Sequence, residues 1–341
     1  DGSTIRTTTI TDPGNKQWTV KSRLSDGQVT EERNPLGHRT RYSYNADDLL
    51  ERITAPENNY VQYGYDSRGN VTSVARYDKA GANPITTTLN YPSCTGSNRT
   101  ICNRPSWTHD WRGRTDYTYD TPHGGVLTVT APDAGEGRLT TTTGYGLKTA
   151  SYKTYTGGTL TASIHRQTHH TVTGGARTDI GYQTGSSSNL RVASISASGS
   201  DVATATTSFG YDRYGNVTWQ DGPVSGSSDR VNIAYDTLRR PTVAIGPKPT
   251  GAGLQHLANK TNYDIDGRVS STQTGRASGP TSFSSFVALE TQVNSYDSKG
   301  RVSRQWVVGS STFFAVDYRY DSAGRLECSA LRMNALTTTG R

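Results

Sequence analysis

Tyr65-Asp66-Ser67-Arg68-Gly69-Asn70-Val71 is the stretch that decides the fold, because it comes back. It recurs as Tyr211-Asp212-Arg213-Tyr214-Gly215-Asn216-Val217 and as Tyr263-Asp264-Ile265-Asp266-Gly267-Arg268-Val269. It returns as Tyr296-Asp297-Ser298-Lys299-Gly300-Arg301-Val302 and as Tyr320-Asp321-Ser322-Ala323-Gly324-Arg325-Leu326. Neighbouring copies in the C-terminal half, counting a degenerate one at Tyr235, lie 24 to 33 residues apart, a spacing found in repeat architectures. Asp at the first turn position and Gly at the fourth suit a type I turn, in which the Asp carboxylate accepts from a backbone N–H two residues on. The Gly then takes the left-handed conformation and forms a bulge that returns the chain to a strand in register. Each copy therefore reads as a β-hairpin, with Tyr closing one strand and Val or Leu opening the next.

Degenerate copies obey the same physics. Tyr44-Asn45-Ala46-Asp47-Asp48-Leu49 puts Asp48 where Gly stands elsewhere, and Asp is among the few side chains that tolerate the left-handed region. His109-Asp110-Trp111-Arg112-Gly113-Arg114 replaces Tyr by His, and Tyr119-Asp120-Thr121-Pro122-His123-Gly124-Gly125 is lengthened. Tyr235-Asp236-Thr237-Leu238-Arg239-Arg240 has Arg239 at the Gly position, which predicts strain or a different turn. Asp12-Pro13-Gly14-Asn15, Asn34-Pro35-Leu36-Gly37 and Ala55-Pro56-Glu57-Asn58 form a second turn set, with Pro at the second position, where its fixed φ is preorganised. Pro-turn, strand, Tyr-Asp turn, strand is a meander. Segments such as Tyr60-Val61-Gln62-Tyr63-Gly64-Tyr65 alternate with period two, and no segment has a convincing helical period. The Thr-, Ser- and Gly-rich middle, from about Leu139 to Thr204, lacks the phrase and is expected to continue as strands.

Composition agrees. Leu, Ile, Val and Phe make up roughly one residue in six, a value that normally warns of disorder. The small net charge per residue, 20 Tyr and 5 Trp argue against it, and together with abundant Thr they suit a half-buried pleated surface with two partly wet faces. The net charge of +7 over 341 residues is dispersed, with no run of five or six Lys or Arg, which weighs against nucleic acid as a partner. No apolar stretch reaches the roughly 20 residues of a membrane span. No signal peptide stands at Asp1, and the chain, opening in mid-pattern, reads as a fragment of a longer one. A disulfide between Cys94 and Cys102 is preferred over two free thiols, since the small polar residues between them have little else to hold their loop, and it would place the chain in an oxidising compartment. Cys328 is left over.

Tyr-Asp-x-x-Gly-Arg/Asn-Val/Leu copies with Asn-Pro-x-Gly turns between them resemble the YD repeats of bacterial Rhs proteins, related to those of teneurins and of the B and C components of insecticidal toxin complexes. The recognisable copies cover about residues 10–120 and 205–330, and the whole of 1–341 is expected to be one YD-repeat region. The resemblance implies a long antiparallel sheet that spirals into a hollow shell, secreted or at the cell surface. In that family the shell encloses a toxic domain or presents adhesive surfaces. The self-cleaving core and variable toxin that usually follow are not found in these residues.

Candidate chemistry is sparse. His165, His169 and His170 cluster, and on a strand His165 and His169 would face the same side and could bind a metal. No Asp, Glu or Cys lies close in sequence to complete a ligand set, so no metal or cofactor is expected. The repeated carboxylates Asp66, Asp212, Asp264, Asp297 and Asp321 read as turn residues, because a turn is needed at every hairpin and a catalytic pair only once. Arg268, Arg301 and Arg325 read as partners of carboxylates or of a neighbouring Tyr. The expected role is a structural shell segment that encloses or displays another polypeptide, without catalysis. The alternatives are a glycan-binding or adhesion module using Trp107, Trp111 and Trp219, and a fibre that self-associates through sheet edges.

Overall fold

The computed structural model describes residues 5–153, 156–184, 189–200, 202–251, 253–309 and 313–332. These residues form an all-β, antiparallel architecture of 25 strands with one 3-10 turn, Phe283–Ser285. None of their helical segments is long and apolar enough to cross a membrane. The chain divides into two units: residues 1–146 with 165–177, and residues 147–164 with 178–341.

The first unit is a meander of β1 (Ile5–Thr11), β2 (Gln17–Arg23), β3 (Val29–Arg33), β4 (Arg39–Tyr44), β5 (Leu50–Thr54), β6 (Tyr60–Tyr65), β7 (Val71–Tyr77), β8 (Ile85–Asn90), β9 (Trp107–Asp110), β10 (Gly113–Tyr119) and β11 (Val126–Thr130). Each pairs antiparallel with the next in sequence. β12 (Thr140–Lys153) and β13 (Thr159–Val172) contribute residues to both units. The Thr-rich middle thus does continue as strands, and at 14 residues these two are the longest. Within that middle, Gly185 to Ser188 lie outside the described residues, as do Met333 and Asn334 near the end.

The second unit continues with β14 (Arg177–Tyr182), β15 (Val192–Gly199), β16 (Val202–Tyr211), β17 (Val217–Asp221), β18 (Val231–Tyr235), β19 (Pro241–Ile245), β20 (His256–Tyr263), β21 (Val269–Ala277), β22 (Val287–Tyr296), β23 (Val302–Gly309), β24 (Phe313–Tyr320) and β25 (Leu326–Arg332). From β15 onward each strand again pairs with its successor.

A chain so poor in aliphatic residues builds its sheet from half-buried positions. β5 and β6 are half-buried along their whole length, whereas every residue of β1 and β25 is exposed. One apolar cluster stands out in the second unit. Val243, Ile245, Ala258 and Ala277 are buried, with Ala234, Phe283 and Phe286 packed against them. The 3-10 turn is what brings Phe283 and Phe286 to that face. Ile245 is fully buried, and burying one such side chain stabilises by roughly 1.5–3 kcal/mol.

Candidate functional site: the repeat turn and its tyrosine–arginine ladder

In the phrase at Asp66, the Asp66 N–H donates to the Asn70 carbonyl (2.9 Å) and the Gly69 N–H to the Asp66 carbonyl (3.0 Å). The Asp66 carboxylate closes the turn from inside: Oδ1 accepts from the N–H groups of Arg68 and Asn70, both at 2.9 Å, and Oδ2 from the Asn70 amide at 2.9 Å. Asp212 repeats this with Tyr214 N–H, Asn216 N–H and Asn216 Nδ2. In the other copies an arginine replaces the asparagine, and its Nε donates to the same Oδ2: Arg268 to Asp264 (2.7 Å), Arg301 to Asp297 (2.8 Å) and Arg325 to Asp321 (2.8 Å). In all five clear copies the residue after the Gly thus carries a side-chain donor to the turn carboxylate. The Gly residues sit at φ +81° (Gly69), +96° (Gly215), +83° (Gly267), +76° (Gly300) and +83° (Gly324), the left-handed region that Gly enters freely. A register shift in each ladder marks the bulge.

These donors hold the carboxylates ionised. The Asn70 amide is the largest influence on Asp66 and pulls its pKa down to about 2. The Arg301 guanidinium lowers Asp297, and the Arg325 backbone N–H followed by its side chain lowers Asp321. Desolvation opposes the shift at Asp212 and Asp264, but the donors of Asn216 and Arg268 outweigh it, so both are lowered as well.

The tyrosines do something that no local motif announces. The Tyr65 hydroxyl donates to the Leu50 carbonyl at 2.5 Å, Tyr211 to Val192 at 2.8 Å, Tyr235 to Val217 at 2.8 Å, Tyr263 to Pro241 at 2.9 Å, Tyr296 to Val269 at 2.7 Å and Tyr320 to Val302 at 3.0 Å. In each case the acceptor lies two residues before the first paired residue of its ladder. Val269 precedes Ser271, Val302 precedes Arg304 and Val217 precedes Trp219. The bulge has carried the partner strand away at that point, and the phenol supplies a donor to the carbonyl there, joined at Val269 by the Asn294 amide at 2.8 Å. Tyr44, Tyr119 and Tyr145 cap Val29, Pro105 and Val126 in the same way. Tyr145 is followed by Gly146 and so carries no Tyr-Asp signal. Burial raises the pKa of Tyr65, Tyr211 and Tyr235, keeping each phenol protonated and able to donate.

The arginine that closes one turn also stacks on the tyrosine of the next copy. Cζ of Arg240 lies 4.3 Å from the ring centre of Tyr263, Arg268 4.6 Å from Tyr296 and Arg301 4.3 Å from Tyr320. One guanidinium thus ties a turn carboxylate to the following aromatic ring, a cation–π contact with its charge already compensated.

Departures from the phrase are informative. Arg239 keeps the same turn, with its N–H 3.0 Å from the Asp236 carbonyl, and takes φ +64°. Strain is accepted there and the turn is not exchanged. Asp48 does likewise at φ +60°. The Pro-containing turns are not a separate class. Asn15, Gly37 and Asn58 each donate to the residue three back, as the Gly of the Tyr-Asp phrase does, and take φ +62°, +85° and +67°. The His109 copy differs, because Asp110 pairs directly with Gly113 and leaves only Trp111 and Arg112 in its loop.

The RHS Repeat family matches residues 25–59 and 44–82, the segment in which consecutive connections follow this one turn frame. Residues 25–82 carry RHS repeats. Three solved structures of the TcdB2–TccC3 assembly are similar to it at 12% identity. The one with TEV has a TM-score of 0.35 over 97% of this chain, the one with Cdc42 0.36 over 94%, and the one without the hypervariable C-terminal region 0.34 over 97%. The chain spans 22% of the length of each. No curated protein matches it.

Outside the RHS turns, Cys94 and Cys102 are joined in a disulfide with Cα atoms 5.0 Å apart. Arg68 Nη1 donates to Cys94 Sγ (2.8 Å) and to the Cys102 carbonyl (3.0 Å), docking the stapled loop on the Asp66 turn. Cys328 is free and exposed. The histidines separate: His165 packs on His123, ring centres 4.3 Å apart, while His169 lies over Gly144. Among the described residues no three His, Cys, Asp or Glu side chains converge to hold a metal. Trp219 covers Gly210 beneath Arg230, Trp107 lies under Arg114, and Trp111 is 78% exposed.

Proposed function

We propose that this chain is a structural segment of an Rhs-type shell that encloses or displays another polypeptide, as a delivery scaffold for a toxin, with no catalysis of its own. One observation supports this above the others. Every repeated carboxylate is consumed in closing its own turn, and every repeated tyrosine in capping the preceding hairpin. Groups committed in this way build length and not a reaction centre. The YD-repeat region is taken to run through the whole chain. The Cys94–Cys102 disulfide fits a secreted or cell-surface location, and the partner is the rest of its own polypeptide or an enclosed toxin domain. Limited proteolysis of the full-length natural protein tests enclosure. The enclosed polypeptide should resist protease until the sheet is unfolded by denaturant, and equal cleavage with and without denaturant overturns it.

Self-association through the sheet edges is supported by one feature: β25 presents seven exposed residues and pairs only with β24 among the described strands.

A further inference from the structure

Three successive connections at one end of the second unit are longer than a hairpin needs. Residues 222–230 join β17 to β18, residues 246–255 join β19 to β20, and residues 278–286 join β21 to β22. They are nine, ten and nine residues long, whereas the Tyr-Asp turns at the other end of the same strands, 236–240 and 264–268, have five each. Hairpin loops usually take about 2–5 residues, and surplus loop held on a rigid sheet commonly carries binding groups. Residues of all three connections and of the strands they join enclose a cavity of about 360 Å³, the size of a small-molecule site.

A buried amide lines this cavity. Asn232 lies opposite Ile245, and Ile245 opposite Ala258, so Asn232 extends a row of the apolar cluster. Among the described residues it is the one polar residue buried that deeply, at 6% exposed, and its side chain makes no hydrogen bond with any of them. A buried amide without a partner is destabilising, and this one faces a cavity. Arg230, also in the wall, donates from Nη2 to Asp221 at 2.7 Å and lies with Cζ 4.4 Å from the ring centre of Trp219, while its Nε is buried without a partner. His256 donates from Nδ1 to the Gly246 carbonyl at 2.9 Å, which leaves Nε2 for a ligand. Lys248, Ser227, Ser228 and Thr281 stand exposed at the rim. No Asp or Glu lines the cavity. The acids at the ends of the first loop have other partners: Asp221 holds Arg230, and Asp229 accepts from the Val224 N–H at 3.0 Å.

We infer that this cavity binds the phosphoryl group of a small phosphate monoester. Its donors arrive from three loops and include two permanent cations, an amide and three hydroxyls. A tetrahedral oxyanion has three terminal oxygens to satisfy, more than the two of a carboxylate, and uses donors from several directions. A phosphate monoester loses its second proton near about pH 6, so it carries a proton that His256 Nε2 can accept, which sulfate does not. Pro247 and Pro280 offer an apolar wall to the organic remainder. The site is independent of whether the chain belongs to a container.

Isothermal titration calorimetry of the intact chain tests this, at about 150 mM salt so that charge attraction beyond about 8 Å is screened. The probes are glycerol 3-phosphate, inorganic phosphate, sulfate and succinate. Glycerol 3-phosphate should bind at least as tightly as inorganic phosphate, and about tenfold more tightly than sulfate or succinate. Lys248→Gln, at an exposed position, should weaken that binding by about tenfold or more with an unchanged thermal midpoint of the free protein. Thr281→Val should weaken it too. Lys299→Gln removes an equal charge from a turn at the opposite end of the strands and should leave it within about twofold, being several screening lengths away. Absence of binding by both phosphates, tighter binding of inorganic phosphate than of the ester, sulfate or succinate matching glycerol 3-phosphate, or an unchanged affinity in Lys248→Gln overturns the proposal.

Discussion

Tyr235→Phe removes one oxygen and leaves the ring in place. That oxygen is 2.8 Å from the Val217 carbonyl, half-buried, at the end of β17 where pairing with β18 has not yet begun: the ladder there joins only Trp219 to Asn232 and Gln220 to Val231. On the β18 side Val217 then has no paired residue to replace the phenol, its only ladder partner being Tyr211 of β16. The lost hydrogen bond is worth about 1 kcal/mol, and an unsatisfied, partly buried carbonyl raises the cost toward about 2 kcal/mol. For a unit of this size that corresponds to a fall of about 2–8 °C in the midpoint of thermal unfolding. Circular dichroism melting reads the midpoint, and hydrogen exchange with mass spectrometry should show faster exchange confined to β17 and β18. Tyr77→Phe is the control, since Tyr77 stacks on Tyr60 at 4.4 Å through its ring and not its hydroxyl, and its midpoint should move by less than about 0.5 kcal/mol equivalent. An unchanged midpoint and unchanged exchange in Tyr235→Phe would refute the capping role.

Acid should loosen the turns in a defined window. Because Asp66 is lowered to about 2 and Asp297 and Asp321 are lowered too, the stability they contribute is complete above the ordinary carboxylate range near 4 and is lost as pH falls below that range, for Asp66 toward about 2; NMR titration giving an ordinary midpoint for the Asp66 carboxyl would contradict this. Ile245→Ala should destabilise the second unit by about 2–5 kcal/mol, measured by denaturant melts, and a loss below about 1 kcal/mol would show that the apolar cluster is not its core. Cys94→Ser with Cys102→Ser should cost about 2–3 kcal/mol and open residues 94–102 to trypsin at Arg99, whereas equal resistance in both proteins would mean that the loop is held by Arg68 alone.

What was legible in the sequence was short-ranged. Asp66, Gly69 and Asn70 lie within five residues of one another, so their spacing specifies the turn, its left-handed glycine and the two strands around it. Arg as a carboxylate or tyrosine partner was also readable by residue type. The capping tyrosines were not, because the acceptor depends on the register after the bulge and lies 14 or more residues upstream, as Leu50 lies 15 from Tyr65. Arg301 reaching the ring of Tyr320 is hidden for the same reason. The common frame of the Pro-containing and Tyr-Asp turns was obscured by composition: Pro35 and Ser67 look unlike, yet Gly37 and Gly69 occupy one conformation. Ile245 sits in Pro241-Thr242-Val243-Ala244-Ile245, a strand like any other, and becomes core in a cluster with Ala258 and Ala277, against which Phe283 and Phe286 pack.

Cryo-electron microscopy of the full-length natural polypeptide, with intact mass on the same sample, tests the structural role most directly. A closed, hollow β-sheet shell with separate density inside, into which these residues fit as one portion of the wall, is the predicted result. Regular filaments built by β25 of one copy pairing with β1 of another, with no enclosed density, would contradict it.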